Sequence, residues 1–120
     1  MITLIEIPST KTVGMKVSGK ITKDGMEQVV EKVKAMMEKT DDRLNIYVEL
    51  DKWEGFTLAA LYEDIKFALP NMRRFAKEAI VTDKSWIANL VKVSDKLFPS
   101  IELKTYTTEE KGEALKWIQE

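Results

Sequence analysis

The sequence predicts an α/β fold with elements in the order β-β-α-β-α-β-α-β-α, forming a mostly parallel, mixed five-stranded sheet with helices mainly on one face. Three observations predict it. Short segments alternate apolar and polar residues with period two. The segments between them carry the 3.6-residue period of amphipathic helices. The strand candidates also alternate instead of being apolar throughout, so one sheet face is apolar and helix-covered while the other is more polar and at least partly uncovered.

The elements follow in order. Ile2 to Ile7 is a short β-rich run, closed by the turn residues Pro8, Ser9 and Thr10. Val13, Met15 and Val17 alternate with Gly14, Lys16 and Ser18, giving a half-buried strand that pairs with the first run as a hairpin. The first strand is therefore antiparallel at an edge. From Asp24 the period changes: Met26, Val29, Val30, Val33, Met36 and Met37 share one helical face. Asp24 with Glu27 has capping-box spacing, and Thr22 is the alternative cap. The methionines on this stripe read as core packing, although six in the chain would also suit an adaptable binding groove.

Leu44, Ile46, Val48 and Leu50 alternate with Asn45, Tyr47 and Glu49 in a second half-buried strand, which is expected to end at Leu50-Asp51. Leu58, Leu61, Tyr62, Ile65, Ala68 and Leu69 repeat the helical spacing until Pro70, which ends the helix. Ala76 to Thr82 is a third internal strand. Asp83 suits the cap of a helix through Trp86, Ile87, Leu90, Val91 and Leu97, ending near Pro99. Ile101 to Tyr106 is the last strand. Thr107 and Glu110 form a capping box before a terminal helix with Leu115 and Ile118 facing inward. Strands alternating with helices imply right-handed crossovers and parallel pairing. There is no linker, repeat or low-complexity segment, so residues 1–120 form one domain. Tyr47, Glu49, Lys104 and Tyr106 fall on the less covered face, where a homodimer contact would also fit.

Composition excludes several chemistries. The chain has no cysteine and no histidine, which removes disulfides, thiol nucleophiles, Cys/His zinc sites and His-based acid–base catalysis. A net charge of -1 supplies no basic field for nucleic acid. Arg73-Arg74, the only adjacent arginines, read as a solvated linker. No apolar run reaches membrane-spanning length and the N-terminus lacks a signal-peptide pattern, so a cytoplasmic protein is expected. Asp24, Asp51 and Asp83 each stand at a strand-to-helix transition, where they read as caps and turns and not as one metal site; no cofactor is expected.

The stretch "DKWEGFT" carries the candidate site. In open parallel sheets, ligands sit beyond the C-terminal strand ends, where helix N-termini offer free N–H groups. Thr57 is placed to cap the following helix and Gly55 to permit a tight turn. Trp53 and Phe56 either fold back as a lid or present an apolar surface. The partner- or ligand-binding candidates are therefore Asp51, Trp53, Glu54, Gly55, Phe56 and Thr57, with the two acids as a polar rim.

The element order resembles the STAS fold of bacterial anti-sigma factor antagonists. "VSGKITKDG", "GFTLAALYEDIKFAL", "KEAIVTDKSW" and "TTEEKGEALKWIQ" more closely resemble the SpoIIAA-like family of small bacterial proteins. The architecture is also distantly similar to the lipid-binding CRAL-TRIO domains. The resemblance covers nearly the whole chain and implies a non-catalytic regulatory or protein-interaction module docking through the loop and helix after the third strand. In the antagonists a serine opening that helix is phosphorylated by a partner kinase. The matching stretch here, Asp51 to Thr57, departs from the Asp-Ser-Ser-Gly pattern, leaving Thr57 as the only hydroxyl and thus the phosphoacceptor candidate. The alternative function is a small-molecule or lipid-binding module with a cavity between helices and sheet. The implied partner is an unidentified protein or a small apolar ligand.

Overall fold

The computed structural model describes residues 1–85, 89 and 100–120. Strand β1 (Ile2–Ile5) lies antiparallel to β2 (Thr12–Ile21), with Ile2 opposite Val17 and Ile5 opposite Gly14. Gly14 allows this close approach: a Cβ there would stand 2.5 Å from Ile7 Cδ1 and 3.0 Å from the Ile5 carbonyl oxygen. Helix α1 (Lys23–Lys39) follows. Its cap is Thr22, whose Oγ1 accepts from the Gly25 N–H at 3.4 Å. Asp24 sits in the first turn, where its charge suits the helix dipole.

Strand β3 (Leu44–Phe56) leads through Thr57 into α2 (Leu58–Asn71). A short 3₁₀ turn (Met72–Arg74) and β4 (Phe75–Val81) come next, with Pro70 inside the last turn of α2. Arg43 braces the turn by donating to the carbonyls of Arg73, Phe75 and Ser100. The helix expected through Trp86 to Leu97 lies outside the described residues. Strand β5 (Glu102–Tyr106) precedes a capping box in which the Thr107 N–H donates to Glu110 Oε1 at 2.8 Å. Helix α3 (Lys111–Ile118) closes the described fold.

The sheet order is β1-β2-β3-β4-β5, with parallel pairing from β2 onward. Crossovers of one hand along a sequential order place their helices on one face. In agreement, Met26, Val29 and Val33 of α1 and Ala60 of α2 join Val13, Met15, Val17 and Leu44 in one core. Helix α3 is not a crossover, so that constraint does not bind it, and it packs on the other face. There Ala114 and Ile118 bury Tyr47, Ala79 and Val81.

That second face is less open than the alternation implies. Tyr47 is fully buried. Asn45, also buried, donates from Nδ2 to the Ile118 carbonyl at 3.0 Å. Tyr106 meets the Trp117 ring, and Lys77 and Lys104 stand over the same ring at 5.1 and 4.7 Å. A strand tyrosine or asparagine reads as surface until an amphipathic helix lies across it. The face offered for a homodimer contact is the one that carries α3.

Helix α2 departs from the pattern in the opposite sense. Its long apolar stripe does not close on the sheet: Leu58 is 86%, Tyr62 64% and Leu69 61% exposed. The inward row is instead Ala60, Asp64, Phe67 and Asn71, with only Ala60 fully buried. Among the described residues, no helix is long and apolar enough to cross a membrane.

Candidate functional site

The segment expected as loop is the end of β3, rebuilt by bulges. Asp51 pairs with Ser18, Trp53 with Gly19, Gly55 with Lys20 and Phe56 with Ile21, so Lys52 and Glu54 are the extra residues. Lys52 has φ 52° and Gly55 φ 105°; glycine takes the second value at little cost. Each inserted residue resets the alternation of side chains. Leu44, Ile46, Val48 and Leu50 belong to the core beneath α1 and α2, and after the first bulge Trp53 joins them. Its odd position in a regular strand would have sent it to the opposite face. The signal for this was Gly55 inside a strand-like run.

Trp53 and Phe56 meet edge to face, with ring centroids 5.6 Å apart and planes at 79°. Trp53 is half-buried against the core, and Phe56 is 36% exposed. Thr57 caps α2: its Oγ1 accepts from the Ala60 N–H at 3.1 Å, and its own N–H donates to the Ile21 carbonyl at 2.9 Å. Asp51 is exposed and pairs loosely with Lys16 at 3.9 Å. Glu54 is exposed and Gly55 half-buried. The structure thus brings Trp53, Phe56 and Thr57 together at the start of α2, while the two acids do not ring the aromatics as one rim.

The aromatics also line a cavity of about 480 Å³ between the sheet, α1 and α2. Its walls are largely apolar and include Met15, Met26, Met72, Val33, Phe67 and Phe75. The volume lies within the ~300–1,000 Å³ usual for ligand pockets. Two carboxyls break the apolar lining. Glu78 of β4 shares its sheet face with Ile46 and Ile80, and Asp64 comes from the inward row of α2. Burial, reinforced by the charge of Asp64, pushes the Glu78 carboxyl up to about 7. Burial also raises Asp64. Neither residue stands out in the sequence. Glu78 alternates like any solvent-facing strand residue, and only the register opposite Ile46 turns it inward.

A second, polar cleft of about 290 Å³ lies at the C-terminal strand ends on the α3 side. Lys111 and Glu49 pair across it at 3.1 Å, and Glu49 also accepts from the Tyr47 hydroxyl at 3.1 Å. Burial and the neighbouring Glu49 hold the Tyr47 phenol well above its ordinary range, so it stays protonated and is no nucleophile. Asp83 accepts from the N–H and hydroxyl of Thr108 at 2.9 and 2.7 Å, which lowers its pKa. The three aspartates of the strand-to-helix transitions are thus separately placed: Asp24 in a helix turn, Asp51 with Lys16, and Asp83 with Thr108. Among the described residues no acidic group of three could hold a metal ion.

The comparisons with known proteins agree on the fold. The SpoIIAA-like family model matches residues 12–119. A crystal structure of an uncharacterised protein of the DUF3478 family with a SpoIIAA-like fold, from Shewanella loihica PV-4, superposes with a TM-score of 0.78 at 21% identity, covering 98% of this chain and 92% of that one. The anti-sigma factor antagonist SpoIIAA in its unphosphorylated form superposes with a TM-score of 0.61 at 12% identity, covering 97% and 98%. At these identities the likeness is one of fold. No curated protein matches the chain at a significant level.

Proposed function

The chain belongs to the SpoIIAA-like family, and on that premise we propose that it is a non-catalytic regulatory module, working in the cytoplasm, that docks a protein partner through the end of β3 and α2. One observation carries this reading: Leu58, Leu61 and Tyr62 at the start of α2 are exposed beside Phe56, and Ile65 and Leu69, partly exposed at the cavity wall, continue the row. A contiguous exposed apolar row of this kind commonly marks an interaction surface. The fold, related to that of the anti-sigma factor antagonists, supports a protein-interaction role. The lack of Cys and His supports a role without catalysis. Thr57 is the candidate for phosphorylation, because phosphate there would place negative charge at the N-terminus of α2.

The test compares wild type with Leu58→Glu, Tyr62→Glu in affinity capture from the host, followed by titration of the captured partner. Partner binding should be lost in the double variant with the fold retained. Equal binding would remove the docking surface from α2.

A second reading is favoured by the cavity, which Trp53 and Phe56 help line: a module binding a small apolar molecule between helices and sheet. Native mass spectrometry of protein purified from its own host tests it, with a bound small molecule as the expected result.

A further inference from the structure

The cavity holds an arrangement that a pure hydrocarbon pocket would not. Glu78 from β4 and Asp64 from α2 both face it, close enough for the charge of one to act on the other. Among the described residues, neither carboxyl has a hydrogen bond or ion pair. Glu78 retains some accessible surface because it lines the cavity, yet it is deep within the protein. Among the described lysines near the cavity, neither Lys77, which also lines it, nor Lys34 pairs with either carboxyl. Lys77, next to Glu78, donates to the Trp117 and Glu120 carbonyls on the opposite sheet face, and Lys34 stands over the Phe67 ring at 5.8 Å.

Burying a carboxyl without a partner is costly, and placing a second beside it adds repulsion. Among the described residues nothing in the packing requires either acid there, and an apolar residue would close the core more cheaply. What the pair does supply is two carboxyls in the wall of an otherwise largely apolar chamber. A further negative charge would be disfavoured, a neutral alcohol tolerated, and a cation would relieve both carboxyls at once.

We infer that this cavity takes a small amphipathic amine, its apolar body against the methionine- and phenylalanine-lined walls and its ammonium between Glu78 and Asp64. This rests on the second reading above, that the cavity binds a small molecule. The ammonium donates charge-assisted hydrogen bonds to the two carboxyls and favours their ionised forms. Specificity against fatty acids comes from repulsion as much as from attraction to amines.

The experiment is isothermal titration of the protein with decylamine, decanol and decanoate, repeated with Glu78→Gln, Asp64→Asn and, as a charge control on the exposed side of α1, Glu31→Gln. Melting curves establish that each variant is folded. Decylamine should bind at least about tenfold more tightly than decanol or decanoate, the gain expected of one charge-assisted hydrogen bond. Glu78→Gln and Asp64→Asn should each remove most of that preference, read as the ratio of decylamine to decanol affinity, while Glu31→Gln leaves the ratio as in wild type. Binding of all three probes without preference, or an amine preference that survives in both cavity variants, overturns the inference and leaves the cavity reading standing. If none of the three binds, the cavity reading fails and the inference fails with it.

Discussion

The rings of Trp53 and Phe56 meet edge to face with centroids 5.6 Å apart, and the two residues differ in how much of the fold they hold. Trp53 packs against the core beneath α1 and α2, while Phe56 stands half-exposed at the start of α2. Trp53→Ala should therefore cost about 2–4 kcal/mol, somewhat below the value for a fully buried aromatic, and Phe56→Ala only about 1 kcal/mol. Urea denaturation of the two single variants checks the order. A larger loss from Phe56→Ala would mean that the bulged end of β3 is held differently.

Thr57 has a dual engagement, its N–H on Ile21 and its hydroxyl on the Ala60 N–H. Thr57→Ala removes the second bond alone and should cost about 1 kcal/mol. Thr57→Asp keeps a cap acceptor and adds favourable charge at the helix N-terminus, so its melting temperature should match or exceed that of Thr57→Ala. If Thr57 is also a phosphorylation switch, Thr57→Asp weakens partner binding in a folded protein. Partner affinity equal to that of wild type would remove the switch.

Stability should depend on Glu78 in a defined direction. Its folded pKa, about 7, lies above the ordinary value of 4.5, so the folded state holds the proton more tightly than the unfolded chain. Stability is then lost as pH rises from 4.5 to about 7, and the loss is complete above the folded pKa. The loss should be about 3–4 kcal/mol, given ~1.4 kcal/mol per pKa unit over this shift. Glu78→Gln removes the titration, so this variant should show a flatter profile and be the more stable protein at pH near 8. Chemical denaturation across the pH range decides it.

Asn45 ties the sheet to the end of the chain through its bond to the Ile118 carbonyl. Asn45→Ala leaves that carbonyl buried without its donor and should cost about 1–3 kcal/mol. Amide exchange should report the effect first in α3, with α1 scarcely changed, because the two helices lie on opposite faces.

Periodicity by itself determined the order of the described elements, the caps at Thr57 and Thr107, and the inward faces of α1 and α3. These depend on contacts a few residues apart, which spacing records directly. Family likeness was legible for the same reason, because the quoted stretches are packing and capping patterns. Spacing offers both Thr22 and Asp24 as the cap of α1, and Thr22 takes that place. What needed the tertiary structure was every position whose surroundings come from a distant segment. Tyr47 and Asn45 alternate like surface residues, but α3 buries them. Trp53 reads as a loop residue, either a lid or an apolar surface, and a bulge opposite β2 turns it into the core. The stripe of α2 reads as buried, and the packing leaves it outward. Glu78 becomes a cavity residue only through its register beside β3. The reason is common to all four. Sequence period assigns a side chain to a face, but whether that face meets protein, cavity or water is decided by elements far away in the chain, and a single inserted residue can exchange the faces.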